Sequence, residues 1–163
     1  MLCLGILYHL ESPDVFHFLS RVAEVCRGLA IFDTHISLNP EESREFNGRT
    51  YKGLTYTEHA ADSTPAQRAS KLWASLDNTT SFWFTRPSLY NALSSVGFTT
   101  VFEAHIPPEP KRPLDRVTLV AVKGSREPLQ SAPLLNSLPF EILPEEVNGP
   151  YFDRIKRRLS DHA

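Results

Sequence analysis

Apolar positions along the chain alternate between strand-like and helix-like periods. Residues 2–7 (LCLGIL) form an almost continuous apolar run, which is typical of a strand buried on both faces of a parallel sheet. Residues 15–26 place apolar side chains at three- and four-residue spacing, which predicts one face of a helix. Residues 29–32 (LAIF) form a second apolar run. A strand, a helix and a strand in about 35 residues predict a right-handed βαβ unit with parallel strands.

The next segment, residues 38–84, is polar and has no long period. We expect it to be an insertion that packs over one end of the sheet rather than a separate domain. A Thr64-Pro65 pair is typical of a helix start and predicts one short helix there. The aromatic residues 82–84 (FWF) close the segment.

Regular patterns return after the insertion. Residues 89–96 predict a helix that Gly97 ends, because glycine readily adopts the left-handed conformation of a helix terminus. Residues 99–106 and 116–123 predict two strands, the second rich in β-branched side chains. A proline-rich connection joins them directly, so they are expected to be antiparallel neighbours. Residues 125–163 carry five prolines and predict an irregular surface tail with a short terminal helix.

Composition narrows the class of protein. The 163 residues fit one domain with a substantial core. Apolar residues make up 41% and charged residues 22% of the chain, which is typical of a globular protein. The formal net charge is −2 at pH 7. We therefore expect no DNA partner, because nucleic-acid surfaces are usually strongly basic.

Location is inferred from what the sequence does not contain. No apolar run approaches the roughly 18 residues of a membrane-spanning helix, so no membrane partner is expected. The apolar start has neither the basic region nor the cleavage site of a signal peptide. Cys3 and Cys26 lie in apolar stretches without metal-type spacing, which favours a reducing, cytoplasmic setting.

Three segments resemble one enzyme family. Residues 2–13 (LCLGILYHLESP) resemble the fourth strand of class I S-adenosylmethionine-dependent methyltransferases. Residues 81–103 (SFWFTRPSLYNALSSVGFTTVFE) resemble the helix and sixth strand, and residues 115–124 (DRVTLVAVKG) resemble the seventh strand. The G-x-L-Y-H form is similar to the subgroup with the wobble-uridine carboxymethyl-transferring tRNA enzymes. The family sheet has the strand order 3-2-1-4-5-7-6, with strand seven antiparallel.

The resemblance implies an α/β fold: a partial Rossmann-like methyltransferase sheet with strands equivalent to 4-5-7-6 over residues 1–124. It also implies methyl transfer from S-adenosyl-L-methionine to a small molecule or an RNA base. The family holds its cofactor mainly with strands one to three, through a glycine-rich turn and an acidic residue. This sequence contains neither feature. We therefore expect the cofactor to bind only with an N-terminal half that this chain lacks, and the isolated chain to be inactive.

A missing first half leaves the edge of residues 2–7 without a neighbouring strand. Such an edge favours a partner chain or self-association. The alternative function is therefore a non-catalytic module that completes a partner.

Ligands of open α/β sheets bind beyond the carboxyl ends of the parallel strands. At the first strand end, the resemblance implies that Leu4, Gly5 and Tyr8 line the methionine and sulfonium region of the cofactor. Tyr8 and His9 are candidate catalytic residues there. The structural alternative is that Gly5 permits close packing and that Tyr8 and His9 cap the turn.

At the second strand end, Asp33 and His35 are candidate catalytic residues, because a carboxylate and an imidazole can orient or deprotonate a nucleophile. The alternative is that Asp33 caps a turn and His35 faces solvent. Trp83 is a candidate wall for a planar substrate, or else an anchor for the insertion. Arg86 is a candidate contact for an anionic substrate, or else an ordinary exposed arginine.

A metal-dependent enzyme is a third hypothesis. Glu58 and His59 in the insertion, together with Asp33, His35 and His105, supply metal-ligand side chains. No pair among them has a recognisable metal spacing, so no metal site is expected.

Overall fold

The computed structural model describes residues 1–104 and 115–125. In chain order the elements are β1 (Leu2–Leu4), a 3-10 turn (Leu7–His9), α1 (Asp14–Val25), β2 (Leu29–His35), β3 (Glu42–Phe46), β4 (Arg49–Thr57), α2 (Pro65–Ser70), β5 (Thr80–Phe84), α3 (Arg86–Ser95), β6 (Thr100–Glu103) and β7 (Arg116–Val122). His105, the proline-rich connection and the tail from residue 126 onward lie outside the described residues, and so does the short helix expected in that tail.

Four strands form a mixed sheet in the order β1-β2-β7-β6. β1 and β2 are parallel, as the βαβ pattern predicted. β7 runs antiparallel to both β2 and β6, so the expected antiparallel final pair is also confirmed. The order and directions are those expected for strands 4-5-7-6, while the equivalence to individual strands of the methyltransferase sheet remains a prediction.

The main core lies on one face of this sheet. Alternate strand residues such as Cys3, Phe32 and Leu119 are buried there, because successive side chains of a strand point to opposite faces. Helices α1 and α3 present apolar residues such as Leu19 and Leu93 to the same core. Thr85 caps α3 by accepting a hydrogen bond from the backbone N–H of Ser88.

The prediction of a strand over residues 2–7 buried on both faces is wrong. The strand ends at Leu4, because Gly5 adopts a φ of 76° and turns the chain into the 3-10 turn. Only Cys3 of β1 is buried, whereas Leu2 and Leu4 are 67% and 58% exposed. The reason is that the described helices cover only the opposite face of the sheet.

The insertion folds into a second sheet that the sequence did not predict. β3, β4 and β5 form an antiparallel sheet in that order. Asn47 and Gly48 turn the β3-β4 hairpin with φ values of 50° and 71°, which is a strong hairpin pattern in the sequence. The strands were missed because many of their side chains are polar and exposed, which obscures the apolar alternation. The short helix α2 is confirmed, with Thr64 and Gln67 forming a capping box.

Aromatic side chains join the second sheet to α1. Phe16 on α1 stacks on Phe46 at 4.7 Å between ring centroids and meets Phe84 edge-on at 5.2 Å. The backbone N–H of Ser37 also donates a hydrogen bond to the carbonyl of Phe84 at 2.7 Å. The insertion therefore shares the core of the main sheet. Within the described residues, no helix has the length and apolar character needed to cross a membrane.

Candidate functional site

The carboxyl ends of the two parallel strands lie side by side. The N–H of Gly5, just after β1, donates to the carbonyl of Asp33 in β2 at 3.0 Å. The turn at Gly5 brings Tyr8 back over the strand end, since a Cβ placed on Gly5 would lie 3.6 Å from the Tyr8 hydroxyl. The predicted site residues Gly5, Tyr8 and Asp33 are thus brought together.

Three aromatic rings gather at this edge, and we call Tyr8, His35 and Trp83 the strand-end cluster. The ring of Tyr8 meets His35 edge-on at 4.7 Å and Trp83 edge-on at 6.3 Å between centroids. The imidazole of His35 stacks on the indole of Trp83 at 4.9 Å and 21°. Tyr56 of the second sheet stacks on Trp83 at 4.3 Å. All three cluster residues are half-buried, so their rings keep some exposed surface.

Trp83 is held in the cluster by hydrogen bonds. Its indole N–H donates to the carbonyl of Tyr8 at 2.8 Å and to the hydroxyl of Ser81 at 3.2 Å. The preceding residue of β5, Phe82, donates its backbone N–H to the carbonyl of Leu10 at 2.9 Å. Trp83 therefore anchors the insertion to the first strand end, which is the second of the two roles that the sequence suggested for it. Its contact with a substrate remains a prediction.

Asp33 is occupied by two partners. Its Oδ1 accepts from Nε of Arg116 at 2.7 Å and lies 2.5 Å from Nη2 of Arg116, and its Oδ2 accepts from the hydroxyl of Thr118 at 2.7 Å. Burial lowers the pKa of Arg116, but the hydrogen bond and charge of Asp33 outweigh burial and raise this pKa above its ordinary value. The guanidinium lies over the ring of Tyr8 at 5.8 Å. Asp33 thus positions Arg116 against the cluster.

His35 is held from its other side by Asp115. Nδ1 of His35 lies 3.2 Å from Oδ2 of Asp115. The contact with His35 lowers the pKa of Asp115, against the opposing effect of burial. The alternative interpretation, in which His35 faces solvent, does not hold. The Asp115 carboxylate and the Trp83 ring contact its imidazole and fix it.

His9 contacts a residue that the sequence did not assign to this site. Its Nδ1 lies 2.9 Å from Oε1 of Glu58, whose side chain is only 2% exposed. Oε1 also accepts from the hydroxyl of Ser81 at 2.9 Å, and Oε2 accepts from the N–H of Ser75 at 3.2 Å. Glu58 follows the end of β4, and sequence reasoning considered it only as a metal ligand. No local pattern indicates a contact between residues 49 positions apart.

Two predicted site residues are placed differently from expectation. Arg86 is buried and forms an ion pair with Glu103, so the alternative of an ordinary exposed arginine is wrong, and its contact with an anionic substrate remains a prediction. The first turn of α3 packs against the sheet and carries Arg86 into the interior. Leu4 pairs with Asp33 across the strands, but its side chain lies exposed on the open face of the sheet.

Among residues 1–104 and 115–125, no group of three or more His, Cys, Asp or Glu side chains is arranged to hold a metal ion. Nε2 of His59 is hydrogen-bonded to the carbonyl of Ser75. Glu58 and His59 therefore contact the loop after α2, while Asp33 and His35 pair with neighbouring residues of the main sheet.

Cavities between described residues lie away from the strand-end cluster. One of about 410 Å³ lies between α1, α3 and the β3-β4 turn, with Glu24, Tyr51 and Lys123 in its wall. Another of about 100 Å³ touches Ser81 and Phe82. Neither cavity is lined by Tyr8, His35 or Trp83.

Neither a protein-family model nor a curated protein matches the chain. Two solved structures do. The N-terminal domain of EvdMO1 with SAH bound is 23% identical, with a TM-score of 0.50 over 77% of this chain and 45% of that chain. The same domain in the presence of SAH and D-fucose is also 23% identical at a TM-score of 0.50, over 77% of this chain and 46% of that chain. The chain thus spans less than half the length of these structures, and over most of its own length it has an α/β fold similar to that of a domain solved with SAH.

Proposed function

We propose that the chain is part of an S-adenosylmethionine-dependent methyltransferase-like domain that acts on a small molecule or an RNA base. The observation that carries this proposal is the meeting of Tyr8, His35 and Trp83 at the carboxyl ends of two parallel strands. Ligands of open α/β sheets bind at that edge. The similarity in fold to a domain solved with SAH supports the same assignment.

The chemistry of the cluster suits the sulfonium end of the cofactor. Aromatic faces attract cations through their quadrupoles, and the sulfonium of S-adenosylmethionine is a cation, whereas SAH is neutral there. Methyl transfer gains much of its rate from holding donor and acceptor in line. In this proposal Tyr8 and Trp83 orient the sulfonium, and the carboxylate of Asp33 balances the charge of Arg116, which lies over the Tyr8 ring.

In our proposal, a complementary partner holds the adenosine end of the cofactor, and this chain does not. The seven glycines of the sequence include no glycine-rich turn of the kind that accommodates a nucleotide. The isolated chain should accordingly bind S-adenosylmethionine weakly and transfer no methyl group without a complementary partner.

Fluorescence of Trp83 tests this proposal. The chain has two tryptophans, and Trp73→Phe leaves Trp83 as the only reporter. We expect S-adenosylmethionine to change this fluorescence saturably in the millimolar range, and Tyr8→Ala to weaken binding about tenfold through loss of an aromatic contact with the cation.

Arg49 lies in the wall of the 410 Å³ cavity, away from the strand-end cluster. Arg49→Ala is therefore the matched control and should leave the titration unchanged. An unchanged signal up to the solubility limit of the cofactor, or equal affinity in the parent and Tyr8→Ala, would contradict the assignment. Micromolar binding by the isolated chain would contradict the proposal that the adenosine end is held elsewhere.

Exposed apolar residues at the β1 edge favour a second candidate function, association with another chain. β1 lies at the edge of its sheet, and several large apolar side chains in and near this strand are exposed: Met1, Leu2, Leu4, Ile6 and Leu29. An apolar edge strand is a template for pairing with a further strand. In this second proposal a partner chain or a second copy covers the edge.

Sedimentation velocity tests self-association through this edge. We expect the parent chain to form dimers or larger species, and Leu2→Lys combined with Leu4→Lys to shift it to monomer, because the two charges resist burial. Leu72→Lys combined with Leu76→Lys alters exposed residues of the insertion and is the control. A parent that stays monomeric at its highest soluble concentration would rule out a second copy as the partner.

A further inference from the structure

We propose that His9 is the base that removes the proton from a hydroxyl-bearing methyl acceptor, and that Glu58 is its positioning residue. This inference rests on the proposed function and specifies the acceptor class. It is carried by the His9–Glu58 contact at 2.9 Å, between a half-buried imidazole and a buried carboxylate.

The hydrogen bond to Glu58 selects one tautomer of the neutral His9 imidazole. An ionised carboxylate only accepts hydrogen bonds, so Nδ1 of His9 carries the hydrogen and donates it. The remaining ring nitrogen, Nε2, then holds the lone pair. Among the described residues none is hydrogen-bonded to this nitrogen, and the His9 side chain is 21% exposed. Nε2 is therefore available to a ligand.

Several further hydrogen bonds hold Glu58 in place. Ser81 and Ser75 donate to its two oxygens, and Lys71 donates to its backbone carbonyl at 3.0 Å. His9 is fixed as well, because the amide of Asn78 donates to its carbonyl at 2.9 Å. Burying a carboxylate costs several kcal/mol unless hydrogen bonds and charge compensate for it. Two neutral donors already serve Glu58, and its third partner is the half-buried imidazole of His9.

The pair lies beside the cluster that we assign to the sulfonium. The rings of His9 and Tyr8 are 4.2 Å apart. Ser81 connects the two groups, because it donates to Glu58 and accepts from the indole of Trp83. A base at Nε2 and a methyl donor at the aromatic rings would meet one acceptor molecule at the same strand end.

The reaction balances without a further reactant. The hydroxyl oxygen forms a bond to the methyl carbon of S-adenosylmethionine, and the carbon–sulfur bond breaks with its electron pair moving to sulfur, which yields SAH. The hydroxyl proton moves to Nε2 of His9. The carboxylate of Glu58 then balances the charge of the imidazolium. Hydroxyl groups are the acceptors that gain most from such a base, because they are poor nucleophiles until the proton leaves.

The test uses the whole chain without the cofactor, so that its outcome is independent of cofactor binding. Nitrogen NMR of the His9 ring should show the hydrogen on Nδ1. Added 4-nitrophenol, a coloured probe with a weakly acidic hydroxyl, should show an increased phenolate band on binding. Glu58→Gln keeps a hydrogen-bond acceptor but removes the charge, and should reduce the ionised fraction of bound probe about tenfold.

Glu58→Asp should restore part of the phenolate band, which a merely structural role for Glu58 does not predict. His17→Gln on exposed α1 surface is the control and should change nothing. A hydrogen on Nε2 in the parent, the absence of a phenolate band, or a band unchanged in Glu58→Gln would overturn the proposal. The phenolate band can behave as expected while S-adenosylmethionine leaves Trp83 fluorescence unchanged. That combination would support His9 as a base and contradict the cofactor assignment.

Discussion

Phe16→Ala is expected to lower the free energy of unfolding by about 3–5 kcal/mol, the cost of deleting a fully enclosed aromatic side chain. Phe16 is 2% exposed. It stacks on Phe46 at 8° and packs within 5.2 Å of Tyr51 and Phe84, measured between centroids. These three neighbours all belong to the second sheet, so Phe16 joins α1 to that sheet. The cavity left by alanine would lie at their junction, where the surrounding rings are too rigid to close it.

Urea denaturation followed by far-ultraviolet circular dichroism measures this loss. Val25→Ala is the control on the same helix, because Val25 is 61% exposed and its truncation should change stability by less than about 0.5 kcal/mol. Equal effects of the two substitutions would mean that α1 does not join the two sheets through Phe16.

Gly53→Ala is expected to destabilise the protein by about 3 kcal/mol and to displace Trp83. A Cβ at Gly53 would collide with the backbone carbonyl of Trp83 and would lie 2.6 Å from the ring of Phe82. Overpacking of this kind typically costs 1–3 kcal/mol, and about 3 is expected here because one of the colliding atoms is backbone. Glycine at this position permits the close approach of β4 and β5 that places Trp83 in the strand-end cluster.

Gly28→Ala is the matched control, since a Cβ there meets nothing within 4 Å and no positive φ is required. Unfolding curves compare the stabilities of the two variants. The emission maximum of Trp83 in the Trp73→Phe background reports on its displacement. A Gly53→Ala variant with parental stability and emission would show that β4 and β5 can separate without disturbing the site.

Several features of the fold were predictable because they depend on neighbours in the sequence. The spacing of apolar residues in α1 and the alternation in β7 follow directly from the geometry of the elements. The parallel arrangement of β1 and β2 follows from the helix between them. The Asn47-Gly48 pair also favours a hairpin, but the strands on either side of it carry many polar residues, which obscure the apolar alternation of a strand.

The candidate site was predictable in part for a similar reason. Tyr8, Asp33 and His35 follow or end two parallel strands, and the carboxyl ends of parallel strands share one edge of a sheet. Their proximity therefore follows from topology. Their partners lie at least 80 residues later in the chain. Arg116, the partner of Asp33, begins β7, and Asp115, the partner of His35, immediately precedes it. Their register is set by the antiparallel pairing with β7.

The sequence by itself determined the alternation of strands and helices, the parallel first pair, the antiparallel last pair and the residues at the strand ends. Only the tertiary structure decided that Glu58 contacts His9, that Arg86 is buried against Glu103 and that one face of β1 stays exposed. Local patterns arise from the fixed periods of the backbone, which every segment carries within itself. Contacts between distant segments depend on how sheets and helices pack, and no period of a single segment encodes that packing.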